Sequence, residues 1–193
     1  MGSIYCVDWS RTERLIASGS NDRLIKLLVV PNLHEGNHQI LELTLSGHQA
    51  IVRTVCFNPT DDLQLLSGGQ TDKDVKVWNS ETGQQVASLK GHTGDINSIK
   101  MAADGSYAVS VGTDRKILIF DIRCQRAVGS MDSTGMSEMH EVSLSNHPQT
   151  GLLESTVQNM SSVGGSSHAR HPLGLAAVAH QDGSVSLWNL HQR

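Results

Sequence analysis

His48, Ser67 and Asp72 are the residue types of a nucleophilic hydrolase: an imidazole base, a hydroxyl and a carboxylate to orient the ring. Acyl-transfer chemistry from such a set needs the serine on a strained turn between a strand and a helix. Ser67 instead follows the apolar pair Leu65-Leu66 and leads into Gly68-Gly69. The set also recurs, since His92, Ser110 and Asp114 repeat it with the two histidines 44 residues apart. Trp78 adds to the first set a donor that hydrolysis does not require. An imidazole can donate to the Asp through one nitrogen and accept from the hydroxyl through the other, while the indole N–H donates to that same hydroxyl. All four groups are then satisfied, as burial demands. Both sets read as packing devices, and neither as catalytic.

The elements that must position these residues follow one repeated pattern: a Gly-His, a short apolar run, a Ser- and Gly-rich turn with an Asp, and a Val-Lys-Val-Trp-Asn-like close. It runs from Gly47-His48 to Val75-Lys76-Val77-Trp78-Asn79, and again from Gly91-His92 to Ile117-Leu118-Ile119-Phe120-Asp121. A copy at the start carries Ser18 and Asp22, with Leu28 in place of the Trp and no Gly-His; one at the end carries Asp182 and Trp188. The four Asp positions fall 50, 42 and 68 residues apart, and the last interval, too long for one repeat and too short for two, reads as an insertion.

These motifs resemble the WD-repeat β-propeller family, whose repeat period is about 40–45 residues. The resemblance implies an all-β fold of about four blades, spanning residues 3–46, 47–90, 91–131 and 137–193. Short apolar runs bounded by turn residues supply fifteen strands where four blades need sixteen. The outer strand of the last blade is missing, so the arc reads as incomplete or open, with two bare sheet edges that further blades or a partner chain would cover. Residues 146–171, polar and centred on Ser161-Ser162-Val163-Gly164-Gly165-Ser166-Ser167, read as a disordered loop in the last blade. Gly2 to Ser10 with Ala17 to Asp22 is also similar to a blade of a microtubule-associated WD-repeat protein. That likeness implies a cytoskeletal or ciliary setting.

Composition excludes several classes. Among 193 residues, 15 Lys and Arg against 19 Asp and Glu give a net charge of −4, so there is no basic field for a phosphate backbone and no nucleic-acid partner is expected. No apolar run approaches the roughly 20 residues of a membrane span, and the chain reads as soluble and cytoplasmic. Lys76 reads as solvent-face alternation. Cys6, Cys56 and Cys124 lack metal or redox spacing and read as reduced, mostly buried thiols. His140, His147, His168, His171 and His180 are scattered without a ligand pattern, so no metal site and no cofactor is expected.

A propeller's function lies in the sites it displays. The primary reading is a non-catalytic protein-protein scaffold. Its candidate partner residues sit beside the Gly-His and Asp turns: Asn21, Gln49, Arg53, Thr71, Thr93, Asp95, Asn97, Thr113 and Gln181. Arg53 is read as an exposed guanidinium near the channel mouth, able to hold a carboxylate bidentately. The alternative is a substrate receptor of a cullin-type ubiquitin ligase, because Phe120-Asp121-Ile122-Arg123 resembles the adaptor box of such receptors through Asp121 and Arg123.

Overall fold

Runs of five to nine residues rich in Val, Ile and Leu, broken by Gly- and Asp-bearing turns, are too short for stable helices and suit strands. The computed structural model describes residues 2–30, 41–133, 135–145 and 174–190. Among them lie fifteen strands: β1 Ile4–Trp9, β2 Leu15–Ser20, β3 Leu24–Val29, β4 Leu41–Ser46, β5 Val52–Asn58, β6 Asp61–Gly69, β7 Val75–Asn79, β8 Gln85–Leu89, β9 Ile96–Met101, β10 Tyr107–Gly112, β11 Lys116–Asp121, β12 Arg126–Asp132, β13 Met139–Leu144, β14 Leu175–His180 and β15 Val185–Asn189. They pair as consecutive antiparallel meanders, in three four-stranded sheets and a last sheet of β13-β14-β15. Strands β1, β5, β9 and β13 contact one another in succession and form the inner edge.

The core lies between sheets. Ala17, Ile25 and Leu27 of the first sheet bury against Val55, Phe57, Leu65 and Trp78 of the second. The other face of the second sheet, through Leu66, Val75 and Val77, meets Ile96, Ile99 and Phe120 of the third. Val109, Ile117 and Ile119 then meet Met139, Val142 and Val178 of the last. A sheet covered on both faces has no side to give to water, so β11 buries apolar residues on both faces and β7 buries Val75 and Val77 on one and Trp78 on the other. Among the described residues the first and last sheets are covered on one face only, and the arc they form is open.

β13 starts at Met139, whose side chain joins the third core. β6 starts at Asp61 and β12 runs on to Asp132. β4 begins at Leu41, and residues 146–171, read from the sequence as a disordered loop, lie outside the described residues. The chain leaves β13 at Ser145 and returns at Gly174, with the Ser145 N–H donating to the Leu175 carbonyl at 2.8 Å.

Antiparallel order fixes which turns share an end. Each inner strand starts where the second strand of its sheet stops, so the Gly-His segments and the Asp turns gather at one end of the arc, the entry end.

Candidate functional site

In the second sheet, His48 Nδ1 lies 2.6 Å from Asp72 Oδ2 and His48 Nε2 lies 2.6 Å from Ser67 Oγ, while Trp78 Nε1 donates to the same hydroxyl at 2.7 Å. The imidazole and indole centroids are 5.9 Å apart. Gly47 precedes the His because its backbone is at φ +153° and an added Cβ would stand 3.0 Å from the Trp78 ring. Burial pushes the His48 pKa below its ordinary value even though Asp72 pulls it up. A neutral ring that donates through Nδ1 and accepts through Nε2 fits these contacts. Lys76 is a correction to the sequence reading. Its ammonium lies 3.4 Å from Asp72 and its side chain is largely buried, so it belongs to the network and not to a solvated face.

The third sheet repeats the arrangement without an indole. His92 Nδ1 is 2.9 Å from Asp114 Oδ2, and His92 Nε2 is 2.6 Å from Ser110 Oγ. Burial of Asp114 works against its charge, but bonds from His92 and from the Thr93 and Lys116 amides outweigh it and hold the carboxyl down at about 2. Leu118 stands in register where Lys76 does, and Phe120 where Trp78 does; both are buried.

The flanking sheets differ. In the first, Ser18 Oγ donates to the Lys26 carbonyl and Asp22 accepts from the Leu24 amide, with no imidazole between them. In the last, Asp182 is a second correction: its carboxylate accepts from the Ser184 amide and hydroxyl and, among the described residues, makes no hydrogen bond to a His ring. The hydroxyl for Trp188 comes from its own strand, where Ser186 Oγ accepts from the indole at 2.6 Å and lies 2.6 Å from His180 Nε2. His180 was therefore missed as a network member. The signal available was Ser186 and Trp188 two apart, on one face of a strand.

The entry end also carries a feature that no single repeat reveals. Each inner strand has a bulge at the same register, skipping Tyr5, Arg53, Asn97 and His140 in turn. A bulge leaves its extra residue unpaired and turns its side chain away from the ladder. Tyr5 and His140 are exposed, Arg53 is half-buried and Asn97 is buried. The reading of Arg53 as exposed is thus corrected. Its Nε is buried with no hydrogen-bond partner among the described residues, and so is Asn97 Oδ1, although Asn97 Nδ2 donates to the Met139 carbonyl at 2.7 Å.

The remaining candidates surround this row but are partly tied down. Asp95 Oδ1 accepts from the Thr71 amide at 3.0 Å, and the Asp95 amide donates to Thr113 Oγ1 at 2.9 Å. The amides of Gln49 and Thr93 cap Asp72 and Asp114, and those of Asn21 and Gln181 donate to the carbonyls of Ser3 and Glu138. These backbone amides hold the turns of the entry end together.

Comparison with known proteins decides the family. The family model for "WD domain, G-beta repeat" matches residues 1–27, 40–79 and 83–121. The chain belongs to the WD-repeat family. Over 117 residues, 61% of the chain, it is 32% identical to nuclear distribution protein PAC1 of Komagataella phaffii. It is 30% identical to a coronin-like protein of Saccharomyces cerevisiae over 142 residues, 68% of the chain. With the ribosome biogenesis protein WDR12 homolog of Trichoplax adhaerens it shares 36% over 107 residues, 55% of the chain. The matched parts span only 23%, 22% and 24% of those proteins.

At the opposite end of the WD-repeat arc, Asp121 Oδ1 caps the turn through the Cys124 amide at 2.9 Å and Arg123 is exposed, while Phe120 and Ile122 are core residues. Cys124 is exposed, which corrects the reading of mostly buried thiols; Cys6 is half-buried, Cys56 is buried, and burial pushes both thiols up to about 11. An open cleft of about 300 Å³ at this end is lined by Asp8, Arg11, Phe57 and Lys100, among others. Asp8 accepts from the Phe57 amide at 2.7 Å and so ties β1 to β5. Among the described residues no three His, Cys, Asp or Glu side chains converge on a common point, and no helix is long and apolar enough to cross a membrane.

Proposed function

We propose that this chain is a non-catalytic scaffold that binds other proteins through the entry end of its arc, in a cytoplasmic, cytoskeletal setting such as microtubules or cilia. The observation that carries the reading is the row of bulged residues, two of which hold buried polar atoms without partners. Arg53 is only half-buried, and a ligand that draws its guanidinium outward gives it the partner that the buried position lacks. A guanidinium calls for a carbonyl or carboxylate, which describes a peptide with an acidic side chain. The divergent names of the relatives, from nuclear distribution to ribosome biogenesis, support a scaffold whose partners vary.

Selection of displayed peptides on the folded chain tests this. Binders should carry an acidic position, and Arg53→Ala should weaken them by about tenfold or more, as a hot-spot arginine does. Binders indifferent to Arg53→Ala but lost with Arg123→Ala would favour the ligase-receptor reading, which the exposed Arg123 at the opposite end supports. Co-sedimentation with polymerised tubulin tests the cytoskeletal part separately.

A further inference from the structure

The face of the first sheet that meets the second carries cross-strand rows of apolar side chains. Ile25 opposite Leu45 is one row, and Ala17, Leu27 and Leu43 side by side are the next; the second sheet packs on both. A further row, at the end opposite the entry end, joins Leu15, Val29 and Leu41. This row stays open to water, since Val29 is 37% and Leu41 57% exposed, against 1% for Leu27 and Leu45. On the facing wall stands Leu63, two residues before the buried Leu65 and so on the same side of β6. It is 49% exposed. The seam between these two neighbouring sheets is thus apolar on both walls and uncovered.

The other two seams are built differently. Register puts Gln64 and Asn79 of the second sheet, and Tyr107 and Asp121 of the third, in the places of Leu15 and Val29. Several of these are engaged: Asn58 Nδ2 donates to Gln64 Oε1, Asn79 Oδ1 accepts from the Glu81 and Thr82 amides, and Asp121 caps its own turn. Ser106 and Gly174 stand where Leu63 does. The first seam is also firmly held. Asp62, beside Leu63, accepts from the Arg11 and Thr12 amides at 3.0 and 3.3 Å, and the Val30 amide donates to the Arg14 carbonyl at 2.8 Å. A ligand would meet a preformed surface with little left to order.

We propose that this seam binds an amphipathic helix of another protein. Neighbouring strands stand about 4.8 Å apart, so Leu15, Val29 and Leu41 are spaced nearly as the turns of a helix, about 5.4 Å. A helix laid across the strands would set apolar residues at i, i+4 and i+7 on the three in turn, with Leu63 beside them. Charge decides which flank of the helix faces the second sheet. The two turns beside Leu63, residues 58–64 and 79–85, carry Asp61, Asp62 and Glu81 and neither Lys nor Arg. Asp61 and Glu81 are exposed, so the flank above them should carry Lys or Arg. The turn of the first sheet is mixed, with Arg11 and Arg14 around Glu13. The seam lies at the end opposite Arg53, and its role does not rest on what Arg53 binds.

Selection on the folded, full chain from a library of displayed single helices, randomised along one face, tests this. Enriched helices should carry apolar residues at i, i+4 and i+7 and a Lys or Arg on one flank. Leu41→Asp and Leu63→Asp should each weaken the best of them by about tenfold or more, as loss of a hot-spot contact does. Glu81→Gln should weaken them by about twofold to fivefold, the size of an exposed ion pair. Arg53→Ala should leave them unchanged, whereas acidic peptides held at the entry end should respond to Arg53→Ala alone, so the two sites stand or fall separately. Both leucines are exposed, so the variants should fold, as circular dichroism can verify; Leu41→Ser and Leu63→Ser replace them should either fail. A library that yields no helix, or helices that bind both leucine variants as well as the wild type, would overturn the proposal. So would serine variants that melt well below the wild type, since the chain itself would then cover the row. Wild-type dimers that Leu41→Ser dissolves would equally overturn it, because a second copy would then hold the seam.

Discussion

The second and third sheets solve the same problem with different third strands. Both hold a buried imidazole between a serine hydroxyl and an aspartate, with His Nε2 at 2.6 Å from Ser Oγ in each. The second sheet then adds Trp78 Nε1 on Ser67 and the Lys76 ammonium on Asp72; the third puts Phe120 and Leu118 in those places and fills the space with carbon. The difference teaches that the imidazole bridge is the common part. The indole and the ammonium are local additions, and an apolar pair of similar volume can stand in for them. In both sets the serine hydroxyl is fully buried, out of reach of any substrate as the sheets stand.

The largest expected effect is on packing. Trp78→Ala and Phe120→Ala should each destabilise by about 3–5 kcal/mol, as large-to-small changes of buried aromatics do. Urea melts of the two variants measure this. A loss under about 1 kcal/mol at either position would mean that the third strand is not part of its core.

Next come the carboxylates. Asp72→Ala and Asp114→Ala should cost about 1–3 kcal/mol each by leaving a buried imidazole underpaired. The Asp72 change should be the larger, since Lys76 also loses its partner. Melting curves recorded with a binding assay check the reading; if partner binding vanished while stability held, the network would be functional and not structural.

Trp78→Phe makes the second sheet like the third. It removes one indole-to-hydroxyl bond at the expense of about 0.5–1.5 kcal/mol, plus a smaller packing loss. If Trp78→Phe proves as damaging as Trp78→Ala, the indole bond is essential in this sheet and the proposed equivalence breaks.

Acid should act on the two sheets in different windows. The folded pKa of His48 lies below the ordinary 6.5, so the unfolded chain binds the extra proton and stability falls as pH drops below that value. Asp114 sits at about 2 against an ordinary 3.8. Its contribution is therefore complete above the ordinary value and is lost as pH falls through about 2. Amide exchange of β7 and β11 across that range should show β7 loosening first.

The smallest effect is kinetic. Cys124 should be alkylated promptly and without loss of stability, while Cys6 and Cys56, with thiols raised to about 11, should react only as the sheets open. Mass spectrometry of briefly treated protein distinguishes the sites.

Residues set by local chemistry were legible in the sequence. The Gly-His, Ser and Asp positions recur at nearly the same spacing in the second and third sheets, because both need the same turn and the same polar partners. The burial of Arg53 and Lys76 departs from the sequence reading. Their burial comes from a neighbouring sheet or from a bulge, and neither leaves a mark within one repeat. Asp182 fits the repeat by position, yet His180 turns Nδ1 to the Ser137 carbonyl at 3.4 Å, which stands where the carboxylate would. The tie between Asp62 and the turn at Arg11 and Thr12 joins residues about 50 apart, with no local signal to announce it.

The sequence by itself determined the repeat, its all-β character and the partners within the His48 and His92 bridges. These follow from periodicity and from the hydrogen-bonding capacity of the side chains, which do not depend on what lies next door. Only the tertiary structure decided which faces are covered: Val77 and Leu187 are equivalent in register, yet one is 1% exposed and the other 66%. Burial belongs to the sheet that packs on a residue, and for the two end sheets that neighbour is not fixed by any residue within them.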